Sequence, residues 1–192
     1  LGGPVWCPDS IGALRFEGLT NQVVGKTDGF PDITNNFTMP IWVYPTAGRQ
    51  AVPESVEGTV GIAGQRYAIW PASYYGSPGH VGAGLSVGTN GISVFEHTGN
   101  YMPALASYDA VLTNWTHVAV VYTNRQPRIW VNGVLVRTGL VSRMIVHPGD
   151  TLGDSFGYGC FAGMLRDARI YNRALSDKEI QAMGILIELG RR

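Results

Sequence analysis

Charge is scarce in this sequence. Asp, Glu, Lys and Arg make up 15% of its 192 residues, against roughly 25% in an ordinary soluble domain. The polar surface must therefore be built mainly from Ser, Thr, Asn, Gln and Tyr, which suits neutral polar ligands such as sugars. The 14 bases and 14 acids cancel, so no long-range field draws the chain to nucleic acid or anionic lipid. Long apolar runs are missing too. None approaches the ~18 residues of a membrane helix, so membrane insertion is not expected. Cysteine is limited to Cys7 and Cys160, which match neither a zinc nor a C-x-x-C spacing. If the terminal strands lie side by side, the two could form a disulfide closing most of the chain, a contribution on the order of 4 kcal/mol. Otherwise they are buried thiols. The chain begins Leu-Gly-Gly-Pro, without an initiator Met or a signal peptide, which reads as a piece trimmed from a longer multidomain protein.

Catalytic signatures are equally thin. There is no G-x-S-x-G elbow. His80, His97, His117 and His147 are too scattered for a zinc site. The acids Glu54, Glu57, Glu96, Asp109, Asp150 and Asp154 are dispersed, and none of these stands two residues from another. Glu96 beside His97 is the best catalytic remnant. Adjacent strand residues point to opposite faces, so these two would not meet around one bond. The pair reads as a solvated strand end. Sequons occur at Asn36 and Asn114, a pattern common by chance.

What is abundant is glycine, at 26 residues, close to twice the usual ~7%. It falls at turn-like intervals between short β-branched and aromatic runs. Predicted strands cover 11–17, 37–44, 66–70, 81–87, 92–97, 115–122, 127–131, 134–138 and 162–171. Pro40 cannot donate to a ladder, which predicts an edge or a bulge there. Asn90-Gly91 and Asn132-Gly133 are hairpin turn signals. Ser176-Asp-Lys-Glu179 is a capping box, predicting a short helix over 177–183 that stops before Gly184. Residues 185–192 read as a linker or frayed tail. The sum is one all-β domain over 1–192, a two-sheet antiparallel jelly-roll sandwich with a short C-terminal helix. A domain of this length buries roughly 70% of its unfolded surface, so it needs no metal or disulfide merely to fold.

Three stretches carry a resemblance. Residues 114–133, NWTHVAVVYTNRQPRIWVNG, resemble the W-x-H-V-A-x-x-Y … Y-V-N-G hairpin of laminin-G-like, concanavalin A-like jelly-roll domains. Residues 161–180, FAGMLRDARIYNRALSDKEI, resemble their closing strand and helix. Residues 14–45 resemble the opening F-D-G … F-T-x-x-x-W-V-x-P segment. The resemblance implies two antiparallel sheets, one concave, with first and last strands paired. That pairing would bring Cys7 toward Cys160. In this pattern Trp115, Val118, Val120 and Trp130 read as inward-facing bulk, and His117 as a packing residue.

The resemblance also frames function. Glucanases of this fold carry an E-x-D-x-E run on one strand face, and no such run exists here. Binding is the better reading. Aromatic faces stack on sugar C–H surfaces, and amides and carboxylates bind hydroxyls. The candidates are Tyr67, Trp70, Tyr74, Tyr75 and His80 in one segment, with Glu96, His97, Asn100, Tyr101, Tyr108 and Asp109 in the next. The expected partner is a glycan or glycoprotein, bound by a non-catalytic module of a secreted or surface protein. The alternatives are a structural or adhesion domain without a small ligand, and a divergent glycoside hydrolase. Domains of this type often hold one structural Ca²⁺. Glu17 in the F-x-G stretch and Asp167 in the closing D-E-V-R stretch are the candidate ligands, although Glu17 replaces the usual Asp and Ala168 the usual Glu; the competing reading gives these acids salt bridges to Arg166 or Arg169. The turn bearing Asp28, Asp32 and Asn35 is the second possible place.

Overall fold

The computed structural model describes residues 3–8, 12–25, 30–72, 77–154 and 157–185. Its strands are β1 (Val5–Cys7), β2 (Ala13–Glu17), β3 (Gln22–Val24), β4 (Phe37–Pro45), β5 (Tyr67–Trp70), β6 (His80–Gly88) and β7 (Gly91–His97). They continue with β8 (Ala104–Asp109), β9 (Thr116–Thr123), β10 (Gln126–Val131), β11 (Val134–Thr138), β12 (Ile145–Pro148), β13 (Thr151–Gly153) and β14 (Ala162–Arg166). The helix α1 (Asp177–Ile185) follows. Sheet A runs β1-β2-β14-β4-β9-β10-β11. Sheet B runs β3-β13-β5-β6-β7-β8, with β12 paired to β6. This is the expected two-sheet jelly roll. Among the described residues one strand pair is parallel, β12 on β6, and an isolated parallel bridge joins Tyr67 and Cys160.

Period-two alternation builds the core. On β4, Phe37, Met39, Ile41 and Val43 face inward, as do Val81, Ala83, Leu85 and Val87 on β6 and Val118 and Val120 on β9. Each fully buried aliphatic of this kind contributes about 1.5–3 kcal/mol. Pro40 makes neither an edge nor a bulge: β4 is internal, between β14 and β9. Thr38 N and Pro40 O both bond across to the segment after β14, at Tyr171 and Arg169. The missing N–H of Pro40 therefore faces the side where β14 has already ended, and no ladder bond is lost. β14 stops at Arg166 rather than running to Tyr171, because Asp167 takes a positive φ of 50°.

Two tryptophans do not point inward. Trp130 is buried with Ala119, Val121, Leu175 and Ile180 between sheet A and α1, on the outer side of the sheet. Trp115 is half-buried on that same outer side, beside Tyr44. The helix also outruns its predicted end. A Cβ on Gly184 would fall 2.5 Å from Gly133 N. Gly184 thus lets the helix press on the β10–β11 turn, and does not end it. The rest of the predicted tail, 186–192, lies outside the described residues.

The terminal strands do not pair as the cysteine expectation required. Both thiols are free. Cys7 stands opposite Ala13 on β2. Cys160 precedes Ala162, which stands opposite Glu17 at the other end of β2. With β2 lying between β1 and β14, the thiols are on the order of 16 Å apart or more, and a disulfide requires Cα atoms within about 7 Å. Cys160 moreover bridges to Tyr67 of sheet B.

Candidate functional site

The predicted mid-chain residues lie in three different settings. Tyr67, Trp70 and His97 are on the outer face of sheet B, and they are buried. Segment 46–66 lies over this face. Tyr67 Oη donates to Gly61 O at 2.7 Å, beneath the short 3-10 turn Val60–Ile62. The cover is pinned by outward polar residues of the sheet. Ser86 Oγ donates to Gln65 Oε1 at 3.0 Å, and Ser107 N donates to Glu54 Oε1 at 2.8 Å. Asp109 is exposed, and Arg49, whose side chain is wholly enclosed, donates to its Oδ1 at 2.7 Å.

A second group faces the interior. Glu96 is fully buried. It accepts from Ser142 Oγ at 2.5 Å and from Tyr122 Oη at 3.1 Å. The Tyr101 hydroxyl faces the same carboxylate without closing a regular hydrogen bond. Burial pushes the Glu96 carboxyl from 4.5 up to about 7, against the hydrogen bonds from Ser142 and Tyr122 that lower it. The pair Glu96 and His97 is thus an enclosed one, not a solvated strand end. Tyr101 and Tyr108 are half-buried and pack on the central core. His97 Nδ1 lies 2.9 Å from Pro71 O, and burial lowers its pKa.

The remaining predictions scatter. His80 shares a 2.8 Å contact with His147 through ring nitrogens. Asn100 is exposed at the tip of the turn closed by Thr98 and Tyr101. Tyr74 and Tyr75 lie outside the described residues. Trp70, His97 and Tyr158 do meet, with Trp70 5.6 Å from each partner ring. Tyr158 is the exposed member of this corner, and the sequence reading did not include it.

The expected calcium pair is separated. Glu17 is opposite Ala162 on β14, and Asp167 follows the far end of that strand, five residues on. The two acids are about 16 Å apart along the ladder and cannot share an ion. Each instead contacts an arginine, Arg15 at 3.5 Å and Arg169 at 3.6 Å. Asn35 Oδ1 accepts from Val146 N at 3.0 Å, which engages it structurally. Asp28 lies outside the described residues. Among the described residues no three His, Cys, Asp or Glu side chains gather as a metal site.

Two further features were missed from sequence. A cavity of about 360 Å³ opens beside β3 and β13, with Asp150 and Arg169 as its charged lining. None of the predicted ligand residues lines it. On the outer face of sheet A, Trp42, Tyr44, Trp115 and His117 form an aromatic cluster with Arg166 stacked on both indoles. The signal for the second was present in β4, where aliphatic and aromatic residues alternate over 41–44.

Residues 18–181 match the family model described as the concanavalin A-like lectin/glucanases superfamily. The chain belongs to that superfamily. Solved structures share the fold at low identity. Domain 4 of an extracellular family-43 arabinanase from Geobacillus stearothermophilus, in complex with arabinotriose, is 16% identical with a TM-score of 0.58. That match covers 96% of this chain and 82% of the other. The binding domain of botulinum neurotoxin serotype G is 12% identical, with a TM-score of 0.62 over 95% of this chain and 44% of the other. A heptameric pentraxin from Limulus polyphemus is 14% identical, with a TM-score of 0.55 over 90% of this chain and 81% of the other. No curated protein matches the sequence. As a member of the superfamily the chain has a lectin-like binding fold, and no helix in its described residues is long and apolar enough to cross a membrane.

Proposed function

We propose that the chain is a non-catalytic module that binds a glycan or glycoprotein within a longer secreted or surface protein. The setting of Glu96 carries this reading. Glycoside hydrolysis needs two carboxyl groups roughly 5–9 Å apart across an open bond. Glu96 is enclosed and held by two hydroxyls, and Asp109 is held by Arg49. Support for a sugar ligand comes from the arabinotriose complex of a similar fold and from this chain's low charge. Support for a place outside the cell comes from the extracellular arabinanase and from the neurotoxin binding domain, each a part of a longer protein.

The test is an oligosaccharide array read alongside reducing-end release. Binding without release is the expected result. Release that disappears in Glu96→Gln would establish the hydrolase instead. A protein-adhesion role has one observation in its favour: the edge strand β11 exposes Val134 and Leu135. A silent array together with tight protein binding, lost on Val134→Lys, would favour it.

A further inference from the structure

The outer face of sheet A carries a cross-strand row whose chemistry differs from the rest of the surface. Tyr44 stands opposite Met164 on β14. Val43 stands opposite Thr116, which places Trp115 next to Tyr44. Met164 stands opposite Arg15 on β2. The row Arg15–Met164–Tyr44–Trp115 therefore crosses β2, β14 and β4, ends at the residue before β9, and spans about 14 Å. The α1 helix packs over β9 and β10, and Arg173 and Leu175 meet Thr38 at the start of β4, so this face stays partly open at β2, β14 and the Tyr44 end of β4. Tyr44, Met164 and Trp115 are all half-buried.

The two rings are prepared for a ligand. Their centroids are 5.9 Å apart and their planes are tilted by 58°, so the rings rest against each other as one aromatic surface. Arg166 stacks beneath, its guanidinium carbon 4.6 Å from the Trp115 ring and 5.3 Å from the Trp42 ring. This cation–π stack fixes the indole before binding, and a side chain already fixed loses little entropy when a ligand arrives. Arg166 is a positioning residue here: it is 8% exposed, too enclosed to meet a ligand directly.

Charge decides which ligand fits. Glu17 contacts Arg15, Asp167 contacts Arg169, and the Arg166 charge is shielded between indoles. The charges of this face answer one another and leave little field for an anion. The geometry points to this row as the binding face for a neutral glycan, with sugar rings resting on the exposed parts of Tyr44 and Trp115 and their hydroxyls reaching the Tyr44 phenol and Arg15. This rests on the glycan-binding reading above and adds a site and a ligand class to it.

Affinity electrophoresis and calorimetry of the whole chain test it, using arabinan, xylan and mixed-linkage glucan as neutral probes and polygalacturonate as the acidic one. At least one neutral probe is expected to bind, with little dependence on salt. Tyr44→Ala, Trp115→Ala and Met164→Lys should each weaken it tenfold or more, and Tyr158→Ala should leave it unchanged. Tyr44→Ala and Met164→Lys remove no part of the Arg166 cation–π stack and remain informative if Trp115→Ala unfolds. Arg166→Lys keeps the charge and loses the planar stack. It should weaken binding and blue-shift less of the tryptophan fluorescence on sugar addition. Neutral binding that survives the sheet A variants, or is lost on Tyr158→Ala, overturns the site and leaves glycan binding standing. Binding of polygalacturonate alone overturns the ligand class. Silence from every probe sinks the glycan reading itself.

Discussion

Glu96 shows what a single enclosed carboxyl does to stability. Its pKa rises from 4.5 to about 7 on folding because burial disfavours the charged form. Between those values the native state holds a proton that the unfolded chain releases, so stability falls as pH rises through this window. Above about pH 7 the penalty is complete, and below 4.5 it is absent. His117 acts in the opposite sense. Burial and Arg169 lower it to about 4, so its contribution is lost as pH falls below about 6.5. The informative measurement is therefore the difference between Glu96→Gln and the parent chain. The variant should gain melting temperature relative to the parent at pH 8, and the gain should vanish near pH 5. An equal offset at both pH values would mean that Glu96 does not titrate as described. The sequence made the opposition of Glu96 and His97 legible through strand alternation. It did not show which of the two faced inward, because every residue of β7 is buried and the pattern has no polar side to mark the outside.

At the scale of elements, local chemistry was the most readable part. Asn132-Gly133 closes the β10–β11 hairpin with both residues at positive φ. The capping box forms as expected, with Ser176 N donating to Glu179 Oε2 at 2.8 Å. The short strands β1, β3, β12 and β13 went unseen, since three or four residues carry too little period to stand out; the six-residue β8 was missed as well, because its run ALASYD holds no β-branched residue. Segment 46–66 was opaque for a different reason: it has almost no regular structure, and its role as a cover depends on contacts with β5–β8. That cover displaced the predicted aromatic groove. It meets the sheet closely at Gly61, where a Cβ would lie 2.7 Å from Phe95 Cδ1 and 2.8 Å from Tyr67 Oη. Gly61→Ala must push the 3-10 turn off the sheet and should cost about 1–3 kcal/mol, read by urea denaturation. A cost near zero would mean that the segment rests loosely on sheet B.

The whole molecule is set by strand order, and here the resemblance gave the architecture while one consequence drawn from it failed. The family pattern of paired first and last strands holds for β2 and β14, the ladder that joins the two ends of the chain. Cys7 belongs to an extra outer strand beyond β2, and Cys160 lies before β14 and against sheet B. Sequence position alone cannot distinguish the first strand from the strand that pairs with the last. The distinction has a large thermodynamic signature. A bridge between these residues would close a loop of more than 150 residues, a contribution of about 5 kcal/mol in the chain-entropy model. Removing that much stability lowers the midpoint of a domain this size by roughly 10–20 °C. The expected result is that melting curves with and without reductant superimpose, and that Cys160→Ser melts within a few degrees of the parent under both conditions. A midpoint that drops with reductant in the parent but not in Cys160→Ser would require β1 to leave its place beside β2, and with it the seven-strand order of sheet A.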